Sequence, residues 1–286
     1  MGGRREDTMN FRKTPQAYAI GVSISETRDM SVLGLNSEHL LDAMVEIARY
    51  LFRFGSRLVY GGDLRELRFS ELLFEISARH QPESDKFAGR TSVINYLAWP
   101  VHIQLSIENI EQTAKCLDGV ASLVCLDLYG NKIPMHQRQQ MVNKCPSDME
   151  WVKGLTAMRS HMLKETSARI VLGGRTESYK GSMPGIGEEA LLSLNGSQPL
   201  YIVGGFGGCA RDIAESIGLV EPSSESCRNW ARREEFDRFS AVHLNNGLSH
   251  EDNATLAETP HIYQAVGLIL QGLSRISKNT ASLAGN

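Results

Sequence analysis

The sequence predicts an α/β protein: a Rossmann-like parallel sheet with helices on both faces, in a single domain. Short apolar runs of strand length alternate with longer amphipathic runs along most of the 286 residues. The strand-length runs are almost continuously apolar, which is typical of strands buried on both faces of a parallel sheet. Several of them end in glycine pairs, a frequent feature of the sheet edge at which such proteins bind ligands.

Six segments are predicted to be strands because they are short, apolar and bounded by glycine or polar residues. The first of them reads "AYAIGVSIS" and the last reads "PLYIVGG". The predicted strands are 17–25, 57–63, 92–100, 119–128, 168–174 and 199–205.

Helices are predicted between the strands because apolar residues recur there at helical spacing. Gly55 ends the first helix, Ser147 is an N-cap for the long central one, and Thr259 with Pro260 precedes the last. The predicted helices are 37–55, 69–79, 107–117, 147–167, 187–196, 209–218 and 261–277.

We expect a single domain at 17–277, between a disordered leader at 1–16 and a flexible tail at 278–286. The stretch 221–258 is polar and aperiodic, so it either wraps the sheet edge or forms a lid. It contains a capping box, Ser249 to Asp252, which we interpret as structural.

Composition excludes several classes of protein. The net charge of −3 and the charged fraction of 22% do not fit a basic nucleic-acid binder. No run of 18 apolar residues predicts a membrane span, and the first residues lack the apolar core of a signal peptide. The five cysteines and eight histidines form no metal-ligand spacing. We therefore expect a cytoplasmic protein with reduced thiols, no bound metal and no cofactor.

Three glycine-rich segments directly follow predicted strands: Gly61-Gly62, Gly173-Gly174 and Gly204 to Gly208. Parallel strands end at one edge, so these segments should form a binding rim there. The third matches the dinucleotide fingerprint G-x-G-x-x-A, but no strand ending in an acid follows about 20 residues later. Its last two glycines either bind a phosphate at a helix N-terminus or allow close packing.

The stretch "RIVLGGRTESYKGSMPGIGEEALLSL" joins a strand to a helix through a loop rich in glycine. Glycines 181, 185 and 187 leave backbone amides accessible to an anion near the helix N-terminus. Glu188 and Glu189 follow in the first turn. They either stabilise the helix or place a carboxylate beside a sugar, and only one can face a pocket because adjacent helical residues point about 100° apart.

Other candidate contacts lie near the same edge. Arg175 and Lys180 either pair with a phosphate or are solvated loop cations. Asp63 either touches the ligand or caps the next helix, and Ser23 and Ser25 end the first strand. The candidate ligand-binding residues are Ser23, Ser25, Gly61, Gly62, Asp63, Gly173, Gly174, Arg175, Lys180, Gly185, Gly187, Glu188, Glu189, Gly205, Phe206, Gly207 and Gly208.

These motifs resemble a known superfamily. The runs "LVYGGD", "AMRSHM" and "PGIGEE" are similar to those of the Lonely Guy (LOG) phosphoribohydrolases, which belong to the SLOG superfamily of Rossmann-like nucleotide-binding domains. That superfamily includes DprA, the ligand-sensing part of TRPM channels and sensor domains of bacterial TIR-linked defence. The run ending in "PLYIVGGFGG" resembles the defence and TRPM-like branches more than LOG itself.

By this resemblance Arg159 matches the LOG helix arginine and Glu189 matches the end of the LOG glycine loop, so both would be catalytic in a hydrolase. The loop "PGIGEE" lacks the second consecutive glycine and the threonine of the LOG pattern, and it is shorter before the acid. A misplaced acid is costly in catalysis, whereas phosphate binding tolerates the change.

Two functions follow from the resemblance, with a scaffold whose pocket has decayed as a third. The first is a sensor of an NAD metabolite or a cyclic ADP-ribose-like signal, in bacterial anti-phage defence. The second is a LOG-like N-glycosidase acting on nucleoside 5′-monophosphates. The expected partners are a nucleotide-derived small molecule, further copies of the chain, and a TIR-type or other defence effector, with neither membrane nor nucleic acid.

Overall fold

The structure, a computed structural model, describes residues 18–62, 75–76, 91–119, 121–222 and 229–283. Within these ranges seven strands form one sheet. They are β1 Ala19–Ser25, β2 Arg57–Tyr60, β3 Val93–Leu97, β4 Ala121–Leu126, β5 Lys132–Ile133, β6 Ala168–Gly173 and β7 Leu200–Val203.

The strands lie in the order β5-β4-β3-β2-β1-β6-β7. All neighbouring pairs are parallel except the pairing of β4 with the two-residue β5. The predicted Rossmann-like parallel sheet is therefore confirmed, with a short antiparallel edge added. β1 lies beside β6 although more than a hundred residues separate them, so the topological switch point lies between these two strands.

Helices cover both faces of the sheet. They are α1 Asp29–Val32, α2 Ser37–Arg53, α3 Trp99–His102, α4 Ile107–Cys116, α5 Met135–Gln139, α6 Asp148–Glu165, α7 Gly185–Asn195, α8 Gly208–Ser216, α9 His250–Glu258 and α10 Ile262–Leu283. None of the helices in the described ranges is long and apolar enough to cross a membrane.

The capping signals begin helices where expected. The Ser147 hydroxyl accepts the Glu150 N–H at 3.3 Å and starts α6. Ser249 accepts the Asp252 N–H at 3.0 Å, and this capping box opens α9 inside the stretch that has no helical periodicity. Local hydrogen bonding thus fixes that helix where hydrophobic patterning does not indicate one.

Several boundaries differ from the prediction. The third strand ends at Leu97, because Trp99 and Pro100 open α3 and proline suits a first helical turn. α7 begins at Gly185, directly after Pro184. The last helix continues to Leu283. The leader 1–16 and most of the predicted helix 69–79 lie outside the described residues.

Successive side chains of the central strands point to opposite faces of the sheet, and the two faces differ in polarity. Ile20, Val22 and Ile24 of β1 face the core that includes α2 and α10. On the opposite face, β6 carries the fully buried Arg169 beneath α6 and α7. A charged side chain therefore lies inside the sheet core at the switch point.

Candidate functional site

A cleft of about 420 Å³ opens where β1 and β6 end. One wall is the segment that follows β1 and the other is the segment that follows β6. The lining residues are Glu26, Thr27, Arg28, Asp29, Arg175, Thr176, Glu177 and Ser178. Open α/β sheets bind their ligands at this position, so the cleft is the candidate site.

Glycines bring the walls of the cleft together. The Gly174 N–H donates to the Ser25 carbonyl at 2.9 Å, and the Gly174 carbonyl accepts the Cys209 N–H at 2.9 Å. Gly174 and Gly208 have φ values of 104° and 66°, in the region that favours glycine. A Cβ atom on Gly208 would lie 2.4 Å from the Gly174 carbonyl oxygen, and one on Gly173 would lie 2.4 Å from that of Ser25. The sheet edge and α8 thus meet in direct backbone contact.

The N-terminus of α8 already holds a carboxylate of the chain. Asp29 Oδ2 accepts the Gly208 N–H at 2.6 Å. Gly207 leaves the room for this contact, because a Cβ there would lie 2.6 Å from the Asp29 Cβ. The Gly208 N–H, a predicted phosphate contact, is therefore occupied by a carboxylate of the protein itself. The positive end of the helix stabilises that carboxylate as it would stabilise a phosphate.

The two arginines that line the cleft, Arg28 and Arg175, differ in their ion pairing with the described residues. Arg28 Nη1 and Glu177 Oε2 lie 2.7 Å apart, which joins the two walls through side chains that are 87% and 67% exposed. Such a pair contributes little because water screens it. Arg175 is exposed and makes no ion pair with any residue that the structure describes. Arg175 is thus the cation best placed to meet an incoming anion.

Lys180 lies outside the cleft lining. Its Nζ atom stands 4.0 Å from the centre of the Trp151 ring on α6, a cation–π contact. Asp63 falls outside the described residues. Of the three charged candidates in the loops, the described structure puts Arg175 alone in the cleft.

Arg159 of α6 and Glu188 of α7 form a buried ion pair. The Arg159 guanidinium donates to one oxygen of Glu188, and the Thr156 hydroxyl donates to the other. The side chains of the pair are only 10% and 5% exposed. Cβ atoms on Gly181 and Gly185 would lie 3.1 and 2.7 Å from the guanidinium nitrogens of Arg159. These loop glycines therefore pack against an arginine of the protein itself.

Glu189 binds a second arginine. Arg169 Nη1 lies 3.4 Å from Glu189 Oε2 and donates to Ser23 Oγ at 2.9 Å. The guanidinium lies flat over Gly21, whose added Cβ would come within 3.1 Å of the Arg169 Cζ. Burial lowers the pKa of Arg169, while the attraction of Glu189 opposes that shift. Ser23 and Glu189 thus face a buried charge rather than the cleft.

The glycines that follow β7 contact the segment before α10. A Cβ on Gly205 would lie 2.1 Å from the Thr259 carbonyl oxygen, and one on Gly204 would lie 2.4 Å from that of Ala257. Phe206 is buried in the core. This glycine loop lies at the expected edge, but its glycines are needed for close packing.

The remaining candidate glycines also pack against protein. Added Cβ atoms on Gly61 and Gly187 would meet Met158 Cε at 2.8 Å and Cys209 Sγ at 3.2 Å. The Gly62 N–H donates to Asn95 Oδ1 at 2.8 Å. None of these three residues lines the cleft.

The segment predicted as a wrap or lid packs against α7 and α8 in its described part. The Trp230 indole donates to Asp212 at 3.0 Å, and the Ala231 N–H donates to the Tyr179 hydroxyl at 3.3 Å. The described residues of this segment are not part of the lining of the cleft.

The sequence interpretation missed 26–29 and Arg169. The segment 26–29 follows the first strand directly, so the rule that ligands bind beyond strand ends would have included it. Arg169 stands in an apolar strand, and a buried charge needs a partner, which would have indicated a nearby acid. In the described ranges, no three His, Cys, Asp or Glu side chains gather to hold a metal ion.

A family model described as SLOG cluster2 matches residues 14–280. No curated protein and no solved structure matches the chain. The matched range contains both walls of the cleft and both buried arginine–glutamate pairs. The match supports nucleotide-related binding or processing as the general role. Because it covers most of the sequence, the chain belongs to the SLOG cluster2 family.

Proposed function

We propose that the protein binds a nucleotide-derived ligand in the cleft between β1 and β6 and senses it without cleaving it. The ligand class is an NAD metabolite or a cyclic ADP-ribose-like molecule. The observation that carries this proposal is the internal pairing of both candidate catalytic residues, Arg159 with Glu188 and Glu189 with Arg169.

Hydrolysis in the manner of the LOG enzymes would need Arg159 on a phosphate and Glu189 beside the glycosidic carbon. Here the Arg159 guanidinium is covered by the loop that carries Gly181 and Gly185. A substrate phosphate would have to displace Glu188 from Arg159 and leave the buried Glu188 carboxylate without its counter-ion, which is costly. The geometry therefore favours binding over phosphoribohydrolase activity.

The cleft suits a ligand of nucleotide size. Its volume of about 420 Å³ falls within the range of small-molecule sites. Arg175 offers an exposed guanidinium, which forms bidentate contacts with phosphate. The cleft lies at the sheet edge where phosphorylated ligands bind in related architectures.

A sensor also needs an output. We propose that ligand binding changes the assembly of copies of this chain or the activity of a TIR-type or other defence effector, inside the cytoplasm. The support for this part of the proposal is the motif resemblance to defence-associated SLOG domains.

The test combines binding with product analysis. Calorimetric titration of AMP, ADP-ribose and NAD should reveal a ligand. An Arg175→Ala change should weaken its binding by about 1.5–3 kcal/mol, the value of a hydrogen bond to a charged group. Lys180→Ala removes the same charge from the same loop, but its side chain stacks on Trp151, so it should leave affinity unchanged.

The same ligands should be incubated overnight with the protein and separated by chromatography. Intact recovery is expected. Many turnovers per protein molecule would refute the sensing proposal and support the N-glycosidase, especially if Arg159→Met abolished them. Failure of every tested nucleotide to bind would refute the proposed function itself.

A further inference from the structure

The charges of the cleft are mixed. Glu26, Asp29 and Glu177 are acidic, and Arg28 and Arg175 are basic. Among the lining residues that the structure describes, Arg28 and Glu177 pair with each other, and an entering ligand also meets Arg175, Glu26 and Asp29. A ligand with phosphates alone fits this set poorly. A ligand that carries both a phosphate and hydroxyl donors matches both kinds of group.

Asp29 differs from the other carboxylates in being held in place. Its Oδ2 atom accepts the Gly208 N–H at 2.6 Å, and its backbone carbonyl accepts the Leu33 N–H at 2.9 Å. The residue is partly buried, whereas Glu26 and Glu177 are exposed. A carboxylate fixed before the ligand arrives loses little conformational entropy on binding.

The contact with Gly208 also excludes a phosphate from that amide, because two anions do not share one donor without strong repulsion. An anionic group of the ligand is then directed to the opposite wall, where Arg175 lies. The polar but uncharged hydroxyls of a sugar remain as suitable partners for the Asp29 side of the cleft, since a carboxylate accepts several O–H donors.

We propose that Asp29 recognises the vicinal diol of a ribose, while the ligand phosphate binds on the Arg175 side. The inference rests on the proposed function of the cleft and narrows its ligand to nucleotides with an unmodified 2′,3′-diol. Asp29 thereby determines specificity, and Gly207 and Gly208 position it.

The experiment compares AMP with 2′,3′-dideoxy-AMP by calorimetric titration. The wild-type protein should bind AMP at least tenfold more tightly. Asp29→Asn keeps an oxygen that accepts the Gly208 N–H, so the fold should persist, and the melting temperature checks this. The variant should lose at least tenfold in affinity for AMP and change less than twofold for the dideoxy analogue. Asp42→Asn removes the same charge from an exposed position of α2 outside the cleft and should retain the preference.

Four results would overturn the inference. Tighter AMP binding by Asp29→Asn would mean that the carboxylate obstructs an anion site at α8. A lower melting temperature with unchanged AMP affinity would mean that Asp29 only caps α8. A wild-type protein that binds ADP-ribose or NAD but does not prefer AMP over its dideoxy analogue would end the diol proposal and leave the proposed function standing. No binding of any nucleotide would end both.

Discussion

Replacing Glu188 with glutamine tests whether Arg159 is held inside the protein or is available to a ligand. The Glu188 carboxylate accepts from both Arg159 and Thr156, and both members of the ion pair are nearly fully buried. Glutamine keeps the shape of the side chain and removes its charge. The Arg159 guanidinium then stays buried without its counter-ion, close enough to Arg169 to be repelled by it.

The expected loss of stability follows from this burial. Removing one partner of a buried ion pair costs about 3–5 kcal/mol. Unfolding entropy of about 2.1 cal/mol/K per residue gives about 0.6 kcal/mol/K for 286 residues. The melting temperature of Glu188→Gln should therefore fall by about 5–8 °C. Arg159→Met should cost a similar amount, because it leaves Glu188 unpaired. The double variant should recover much of the loss, because neither charge remains.

Thermal unfolding of the wild type and these three variants measures the coupling directly, as a double-mutant cycle. A fall of less than about 1 °C in Glu188→Gln would show that the pair does not stabilise the fold and that Arg159 is available for other contacts. Ligand affinity provides the second measurement. If folded Arg159→Met protein lost nucleotide binding while Arg175→Ala kept it, the assignment of the ligand to the cleft would be wrong.

Two further predictions concern pH and backbone conformation. His102 is fully buried, accepts from Arg138 Nε at 3.0 Å and donates to the Leu126 carbonyl at 2.8 Å, and burial lowers its pKa to about 4. Because the fold favours the neutral imidazole, the contribution of His102 to the free energy of unfolding should be fully present above pH 6.5. Urea unfolding should show that this contribution falls by about 2 kcal/mol by pH 5. His102→Gln should abolish this contribution, whereas the exposed control His136→Gln should retain it. An unchanged pH dependence of unfolding in His102→Gln would contradict its assignment to His102. Gly207 and Gly218 both have positive φ, 74° and 71°, but only at Gly207 would a Cβ meet another atom, the Asp29 Cβ at 2.6 Å. Gly218→Ala should therefore lower the free energy of unfolding by about 1–2 kcal/mol, and Gly207→Ala should lower it clearly more in the same assay. Equal losses in the two variants would show that the contact with Asp29 is unimportant.

The sheet was predictable because a strand buried on both faces has almost only apolar residues. Each parallel strand is a short apolar run, and the capping residue Ser147 marks its helix start correctly. The short elements α1, α5 and β5 carry too few residues for any periodicity to show. α9 was indicated only by its capping box, because its hydrophobic pattern is weak.

The edge that holds the cleft was also predictable, since parallel strands end together. The partner of each charged residue was not. Which of Glu188 and Glu189 faces Arg159 depends on the rotation of α7 about its axis, and the sequence does not fix that rotation. The partner of Arg169 comes from a helix that starts more than ten residues further along the chain, so no local pattern connects them.

The glycines of the rim show why a glycine-rich loop is weak support for a ligand site. In each of the three loops, the glycines that the structure describes would place an added Cβ within about 3.3 Å of other protein atoms. Gly205 admits the Thr259 carbonyl, Gly185 admits Arg159, and Gly207 admits Asp29. The absence of a side chain at these glycines thus permits contacts inside the fold, whether or not a ligand binds.

Under the proposed function, recognition comes from side chains that such packing brings to the sheet edge. In the cleft these are Arg175, exposed and without an ion pair among the described residues, and Asp29, fixed by the α8 amide. A cation and a fixed carboxylate on opposite walls suit a ligand with an anionic and a hydroxyl-bearing end, which is the chemistry of a ribose phosphate.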